Sequence, residues 1–295
     1  MTVLSINPSQ SKLTVAQAAT EFLEREFSAS TRKSYAADLK RFINAMGEQG
    51  VDAVESDDIK SYLANLRDRA GHRVKPSTQN RHFATLSSLF AWLRRQGEVE
   101  SSPMERLERK RQPEALPRPM TLDQIETFFS NIESLRDRAL FSLLYGSGLR
   151  VSEALHLDRE NVNLESRVIR VLGKGSRERI GYLSEQTTKL LRKYLRQRGG
   201  PKTGALFTSR QGKLSYAMAH HLFRNYAANL QGDMPTIHSL RHSFGSERAG
   251  SIDALVLRDL MGHKSLRTTQ QYARVNPEAA QRDFEAFDRS RKLVK

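Results

Sequence analysis

The second half of the chain carries residues whose types and spacing suit the cleavage of a phosphodiester. His238, Arg241, His263 and Tyr272 lie in the strings HSLRHSF, LMGHKS and TTQQYARV. A tyrosine phenol titrates near ~10, so it is a poor nucleophile at neutral pH unless the site supplies a proton acceptor and positive charge. Histidine and arginine side chains supply both. The pattern therefore predicts that Tyr272 is a nucleophile directed at a phosphodiester.

Two strings further upstream add positive charge. GSGLRVSEALHL places Arg150 and Glu153 one helical turn apart, and VIRVLGKGSRERIGYL places Lys174 between two glycines. The planar donor forks of Arg150 and Arg241 can hold the two non-bridging oxygens of a phosphate. A phosphotyrosyl bond would conserve the energy of the broken bond for religation, so we expect no ATP, metal or other cofactor.

Two other chemistries fit the same residues less well. His238 and His242 form an HxxxH pair that could ligate zinc on a helix, but the string lacks the glutamate of HExxH and Arg241 would repel a cation. We therefore expect no metal site, and a buried, hydrogen-bonded role for His242. The string GKGSRE is followed by a strand and not by a helix, so it does not predict a nucleotide-binding loop.

Six residues in sequence order carry a family resemblance. The series is Arg150, Lys174, His238, Arg241, His263 and Tyr272. It resembles the catalytic set of the tyrosine recombinase (phage integrase) family, and the local strings are most similar to the Xer-type branch of that family. The N-terminal strings STRKSYAADLKRF and STQNRHFATLSSLFAWL also resemble that family's core-binding domain. The resemblance thus extends over most of the chain.

The resemblance implies a role for each residue around a 3′-phosphotyrosyl intermediate. Lys174 would donate a proton to the leaving 5′-oxygen, and His238 would manage the proton of the tyrosine. His263 would bond a non-bridging oxygen. Glu153, one turn after Arg150, would orient the site.

Composition limits the classes of partner. The 295 residues contain 48 Lys and Arg against 33 Asp and Glu, a formal charge of +15 spread over both halves, which favours binding to nucleic acid. Cysteine is absent, which excludes disulfides and thiolate metal sites. No long apolar run or secretion signal is evident, so we expect no membrane association and a cytoplasmic protein, associated with the nucleoid of a prokaryote.

The elements that must position the site fall into two predicted domains. Prolines and charged residues without apolar periodicity predict a linker over residues 111–119, between an N-terminal domain of residues 1–110 and a catalytic domain of residues 120–295. Apolar spacings of three and four predict four helices in the first domain. The predicted fold class is mainly α with a small β component: a helical, SAM-like core-binding domain followed by an α+β tyrosine recombinase catalytic domain.

Local signals mark several element boundaries. Thr14 with Gln17 and Thr121 with Gln124 resemble capping boxes, and Pro76 is expected to begin the last helix of the first domain. Alternating residues predict strands over 168–172 and 179–183, joined by the loop that holds Lys174. A helix is predicted to begin at Thr236 or Ile237 and to carry the HSLRH histidines and arginine. In the tail, Ala280, Phe284 and Phe287 form a narrow apolar stripe, which covers either its own domain or, as the resemblance implies, a neighbouring protomer.

Exposed basic side chains are expected to contact DNA phosphates, although simple solvation is the commoner fate of such residues. The predicted contacts are Arg32, Lys33, Lys40, Arg41, Arg81, Arg94, Arg95 and Arg177.

The resemblance predicts a site-specific recombinase that closes around double-stranded DNA. Four protomers, either identical or shared with a related recombinase, would pass through a Holliday junction. A type IB topoisomerase and a non-cleaving DNA-binding regulator are the alternatives. Chromosome dimer resolution and transposon, plasmid or phage recombination all remain open as biological roles.

Overall fold

The chain folds into two compact units, Met1–Glu114 and Ala115–Lys295. The computed structural model describes residues 13–111, 116–173, 178–200, 204–263 and 265–275, with side chains of the last segment described through Tyr272. Lys174, Arg177 and the tail stripe from Ala280 to Phe287 lie outside the described residues.

The first unit is helical, as predicted. Its four α-helices are α1 Val15–Glu24, α2 Ala29–Met46, α3 Ser56–Asn65 and α4 Pro76–Gln96, with a short 3₁₀ turn at Val51–Ala53. Thr14 caps α1 in a capping box with Gln17, and Pro76 occupies the first turn of α4, so both predicted helix starts are confirmed. Phe22, Phe42 and Phe90 are fully buried where the helices meet.

The second unit combines helices with two small antiparallel sheets. Its elements are α5 Leu122–Ser130, α6 Leu135–Ser147, α7 Val151–His156, β1 Val162–Asn163, β2 Val168–Leu172, β3 Glu178–Tyr182, α8 Glu185–Arg198, β4 Thr208–Ser209, β5 Gly212–Lys213, α9 Tyr216–Ala227, α10 Ile237–Arg248, α11 Ala254–Met261 and α12 Leu266–Val275, with a 3₁₀ turn at Arg159–Asn161. One sheet has the order β1-β2-β3 and the other pairs β4 with β5. The fold class, mainly α with small sheets, is confirmed.

The hairpin of β2 and β3 begins its second strand one residue earlier than predicted. Val168 pairs with Tyr182 and Leu172 pairs with Glu178, so the ladder ends before Leu183. Leu183 is buried, and its N–H donates to the carbonyl of Arg167 at 2.9 Å. Leu183 is therefore buried, as the alternation predicted, and makes a backbone bond just beyond the ladder.

Helix α6 forms the centre of the second unit and packs against α8 and α10. Its Phe141 contacts Phe128 of α5 and Phe223 of α9, with ring centroids 5.3 Å and 5.9 Å away. A separate, smaller apolar cluster joins α10, α11 and α12 and includes Phe244, Met261 and Tyr272. Tyr272 belongs to this smaller cluster, and α10, which helps to form it, also carries His238 and Arg241.

In the ranges that the structure covers, no helix combines the length and apolarity needed to cross a bilayer.

Candidate active site

Arg150 is positioned by the turn that joins α6 to α7. Helix α6 ends at Gly148, whose φ of 61° lies in the left-handed region that favours glycine. Arg150 then caps α7, and its backbone N–H donates to Oε2 of Glu153 at 2.8 Å. Its guanidinium donates to Oε1 of the same carboxylate at 3.0 Å and to the carbonyl of Gly262 at 3.1 Å. The arginine is thus fixed at both ends, while 41% of its side chain stays exposed.

Arg241 of α10 is buried and bonds the same two turns. Its guanidinium donates to the carbonyl of Gly148 and, at 2.6 Å, to the carbonyl of Met261. Burial, followed by repulsion from Arg150, lowers its pKa to about 10, so the side chain remains protonated at neutral pH. The two predicted phosphate-binding arginines therefore converge on two neighbouring backbone turns.

Tyr272 lies on α12 and is 3% exposed. Its ring packs directly on the backbone of α10 at Gly245, where an added Cβ would come within 2.7 Å of the ring. Burial raises the pKa of the phenol, and the positive charges of Arg241 and Arg150 lower it, with a net rise. In this arrangement the phenol needs a proton acceptor to attack at neutral pH.

Two histidines contact Tyr272. Nδ1 of His242 lies 3.3 Å from the phenol oxygen. The ring of His263 lies nearly parallel to the tyrosine ring at a centroid distance of 6.0 Å, and its Nδ1 lies 2.8 Å from Oγ1 of Thr269. Burial lowers the pKa of each histidine to about 4, so both rings are neutral at pH 7.

His238 lies on α10, the helix that also carries His242, but it is exposed. Burial of part of its ring lowers its pKa, with further repulsion from His220 and Arg241. In the described part of the chain it makes no hydrogen bond to Tyr272, so its predicted role with the tyrosine proton stays a prediction. The expected hydrogen bond of His242 is present, and its partner is the phenol.

Arg179 is a site residue that the sequence motifs did not indicate. It donates to both oxygens of Glu153, at 3.0 Å and 2.8 Å, and to the carbonyl of Leu260 at 3.3 Å. Glu153 is 9% exposed; burial raises its pKa, but the bonds from Arg179 and Arg150 outweigh burial and leave the pKa below its ordinary value. The alternation of β3 was a usable signal, because it puts Arg179 on the same inward face as Gly181.

The predicted DNA contacts of the first unit are all exposed, but they differ in what else they bind. Arg41 donates to the carbonyl of Arg67 at 2.6 Å, Arg32 to that of Arg25 at 3.1 Å, and Arg94 pairs with Glu105 at 2.7 Å. Apart from Arg81, the other predicted DNA contacts of this unit form no ion pair within the described ranges; they are Lys33, Lys40 and Arg95.

Arg81 is held at the surface by a buried polar network. Its guanidinium binds the carboxylate of Asp38, which is 2% exposed. Asp38 also accepts from Oγ1 of Thr85 at 3.0 Å and lies 3.3 Å from Nε2 of His82. Nδ1 of His82 is 2.9 Å from the hydroxyl of Tyr62. The network fixes a positive side chain that is still 46% exposed.

Two family models match the two units. The model described as "Phage integrase family" matches residues 118–279, and the model described as "Phage integrase, N-terminal SAM-like domain" matches residues 20–97. The matched segments contain the second half of α1 and all of α2 to α12.

Curated relatives match most of the chain. Tyrosine recombinase XerC of Rhodospirillum centenum is 34% identical over 277 residues, covering 87% of this chain and 81% of the relative. Tyrosine recombinase XerD of Listeria innocua is 30% identical over 271 residues, covering 86% of this chain and 90% of the relative.

Solved structures share the fold at lower identity. XerH site-specific recombinase bound to palindromic difH substrate has a TM-score of 0.71 at 20% identity, covering 93% of this chain and 85% of that one. A lambda integrase dimer bound to a COC′ core site has a TM-score of 0.73 at 18% identity, covering 88% of this chain and 95% of that one.

Proposed function

Because the chain belongs to the phage integrase family and is a tyrosine-type site-specific DNA recombinase, we propose that Tyr272 cuts and rejoins double-stranded DNA within the site built on Arg150 and Arg241. One observation carries this assignment. Arg150 and Arg241 both bond the turn at Met261–Gly262, and Arg241 also bonds the carbonyl of Gly148. The phenol of Tyr272 lies in the apolar cluster that contains Met261.

The chemistry follows from charge and proton balance. The phenol gives its proton to a histidine of the site, and its oxygen attacks phosphorus while the two guanidinium groups neutralise the non-bridging oxygens, where charge reorganises in the transition state. His263 contributes a further hydrogen bond to a non-bridging oxygen. The bond to the 5′-oxygen breaks, and Lys174 supplies the proton that this leaving group needs. The product is a 3′-phosphotyrosyl ester and a free 5′-hydroxyl, which can attack the ester of another strand.

Glu153 supports the site without touching the DNA. Its carboxylate binds Arg150 and Arg179 at once, and it therefore links α7 to the hairpin strand that follows Lys174. Through this link the phosphate-binding Arg150 is held against the strand β3.

The assembly that we propose places four protomers on two DNA sites, as a homo-tetramer or with a related recombinase, with a Holliday junction as intermediate. The basic helices of the first unit bind the phosphates beside each site. The tail carrying Ala280, Phe284 and Phe287 joins neighbouring protomers. The protein acts on the nucleoid in the cytoplasm of a prokaryote.

A plasmid carrying two copies of a cognate site tests the proposal, with the site obtained by selecting bound duplexes from a random-sequence pool. We expect wild-type protein to exchange strands between the two sites and Tyr272→Phe to bind without exchange. Relaxation of supercoils without exchange would indicate a topoisomerase, and binding without any change of the plasmid would indicate a regulator. Either result would contradict the proposal.

A further inference from the structure

The phenol of Tyr272 has one imidazole within hydrogen-bonding distance in the described structure, and it belongs to His242. The distance from the phenol oxygen to Nδ1 is 3.3 Å, and the two ring planes are inclined by 46°. His263 uses its own Nδ1 on Oγ1 of Thr269 at 2.8 Å. The hydroxyl and the imidazole of His242 therefore form a donor–acceptor pair inside the site.

Helix α10 fixes this pair by its periodicity. His242 and Gly245 are three residues apart and so lie on the same face of the helix. The absence of a side chain at Gly245 lets the tyrosine ring rest on the helix backbone, and the hydroxyl then reaches the preceding turn, where His242 stands. The same helix is anchored by Arg241, whose guanidinium binds the carbonyls of Gly148 and Met261.

The electrostatics of the pocket keep the acceptor free. Burial, together with the positive fields of His238 and Arg241, lowers the pKa of His242 to about 4. The ring is neutral at pH 7, and a neutral imidazole that accepts at Nδ1 carries its proton on Nε2. A protonated ring could not take a second proton, so the pocket maintains the state that a general base requires.

We propose that His242 is a catalytic residue and that its Nδ1 accepts the phenol proton of Tyr272 as the oxygen attacks phosphorus. This inference deepens the proposed function and rests on Tyr272 being the nucleophile. In the step, the bond from the phenol oxygen to phosphorus forms and the bond from phosphorus to the 5′-oxygen breaks. The phenol proton passes to His242 and a proton from Lys174 passes to the 5′-oxygen. Religation reverses both transfers, so the cycle needs no outside acid or base.

The assignment differs from the role that the family resemblance implied for His238. His238 is one turn earlier on α10 and exposed, whereas His242 contacts the reacting atom. His238 is then available to bond the phosphate. Substitutions can distinguish the roles of the two histidines, because both lie on α10 but only His242 contacts the phenol in the described structure.

The test measures single-turnover adduct formation on a nicked cognate duplex, from which the cleaved fragment diffuses away. The variants are His242→Gln, His242→Ala and His238→Gln. His156→Gln is the control, because His156 is exposed and, among the residues that the structure describes, bonds only the carbonyl of Ser152 in its own helix. Glutamine keeps an acceptor for the phenol but cannot take up its proton. Duplex binding and thermal unfolding are recorded for each variant to show that it folds.

We expect His242→Gln to slow adduct formation at pH 7 by about 10² or more, within the range of a lost general base, with duplex binding unchanged. Added imidazole should restore part of the rate of His242→Ala. The deficit of both variants should shrink towards high pH, because the phenolate then forms without a base. Four charged or titratable groups surround His242. Arg241 and His238 lie on its own helix, Tyr272 lies on α12, and His263 lies in the turn before α12.

Two results would overturn the inference. One is a rate for folded His242→Gln within about threefold of wild type. The other is a loss that is the same at every pH and that imidazole does not relieve, which would show a purely structural role. If the proposed function itself were wrong, the result would be distinguishable from these two: wild type would form no adduct, or Tyr272→Phe would still form one.

Discussion

At the scale of single residues, the structure shows a site held together by one buried carboxylate. Glu153 accepts four hydrogen bonds, two each from Arg150 and Arg179, and its side chain is 8% exposed. Glu153 and Arg179 are both largely buried, so removal of either charge leaves the other unpaired and desolvated.

Replacing this carboxylate therefore gives the first prediction. Glu153→Gln should lower the free energy of unfolding by about 3–5 kcal/mol, the usual cost of breaking a buried ion pair. It should also reduce cleavage, since Arg150 loses the partner that orients it. Chemical denaturation measures the first effect. As a control, Glu185→Gln removes an exposed pair with Lys189 and should leave the stability unchanged.

The pH dependence of that contribution has a definite sign. The pKa of Glu153 is lower in the folded protein than in the unfolded chain, so the folded protein binds fewer protons here. The stabilisation is complete above the unfolded pKa and is lost as the pH falls through the folded pKa. Wild type should therefore lose stability more steeply than Glu153→Gln below pH ~4.5. Equal slopes would mean that the carboxylate is not paired as described.

Lys174 gives a prediction at the leaving group. Lys174→Ala should slow cleavage of a normal duplex by about 10²–10⁴, the range of a lost general acid. A duplex whose leaving 5′-oxygen is replaced by sulfur should be cleaved by this variant at a rate close to that of wild type, because a thiolate leaves without a proton. Comparison of adduct formation on the two duplexes measures the effect. A variant equally slow on both would show that Lys174 is not the proton donor.

At the scale of elements, helix starts were the most predictable feature. Thr14 and Thr121 form the expected capping boxes, because the cap depends on side chains only three residues apart. The contact of Tyr272 with α10 could not be predicted in the same way. It joins residues from two helices and depends on the absence of a side chain at Gly245.

The sequence predicted which residues form the site better than it predicted the contacts between them. The order of charged and nucleophilic residues indicated Arg150, Arg241 and Tyr272, which the structure brings to one region. The sequence did not show that Arg179 would share Glu153, because the pairing depends on how the hairpin of β2 and β3 meets α7 and α11. Nor did it show that His242 and not His238 would contact the phenol.

Gly245 supports a prediction about this packing. Gly245→Ala should favour α10 itself by about 1 kcal/mol of helix propensity, yet its Cβ would displace the ring of Tyr272. We expect duplex binding to be retained and adduct formation to fall by at least tenfold. Gly97→Ala meets nothing within 4 Å but is strained because Gly97 has a φ of 81°, so it controls for a loss of stability that does not involve the tyrosine. Unchanged adduct formation by a folded Gly245→Ala would show that the tyrosine does not need this close contact.

At the scale of the whole molecule, the formal charge of +15 predicts binding to DNA that weakens with salt. The basic side chains differ in whether their charge is already paired with a carboxylate. Arg94 is paired with Glu105, whereas Lys33 and Lys40 lie seven residues apart on α2, and so on one face, without an ion pair in the part of the chain that the structure covers.

Neutralising the two lysines should therefore reduce the salt dependence most. For Lys33→Gln with Lys40→Gln, we expect the slope of log affinity against log salt to become shallower by about 2, since each phosphate contact contributes about 0.9. The slope for Arg94→Gln should change less. Binding titrations over a range of salt concentrations measure all three. Identical slopes would show that this face of α2 does not contact phosphate.

The most direct test of the account is to identify the atom that joins the protein to DNA. Wild-type protein is trapped on a nicked cognate duplex, digested with protease, and the DNA-linked peptide is sequenced by mass spectrometry. The account predicts a single linkage, from the phenol of Tyr272 to a 3′-phosphate, that is absent from Tyr272→Phe. A linkage through another residue or to a 5′-phosphate, or no linkage on a duplex that is bound, would contradict it.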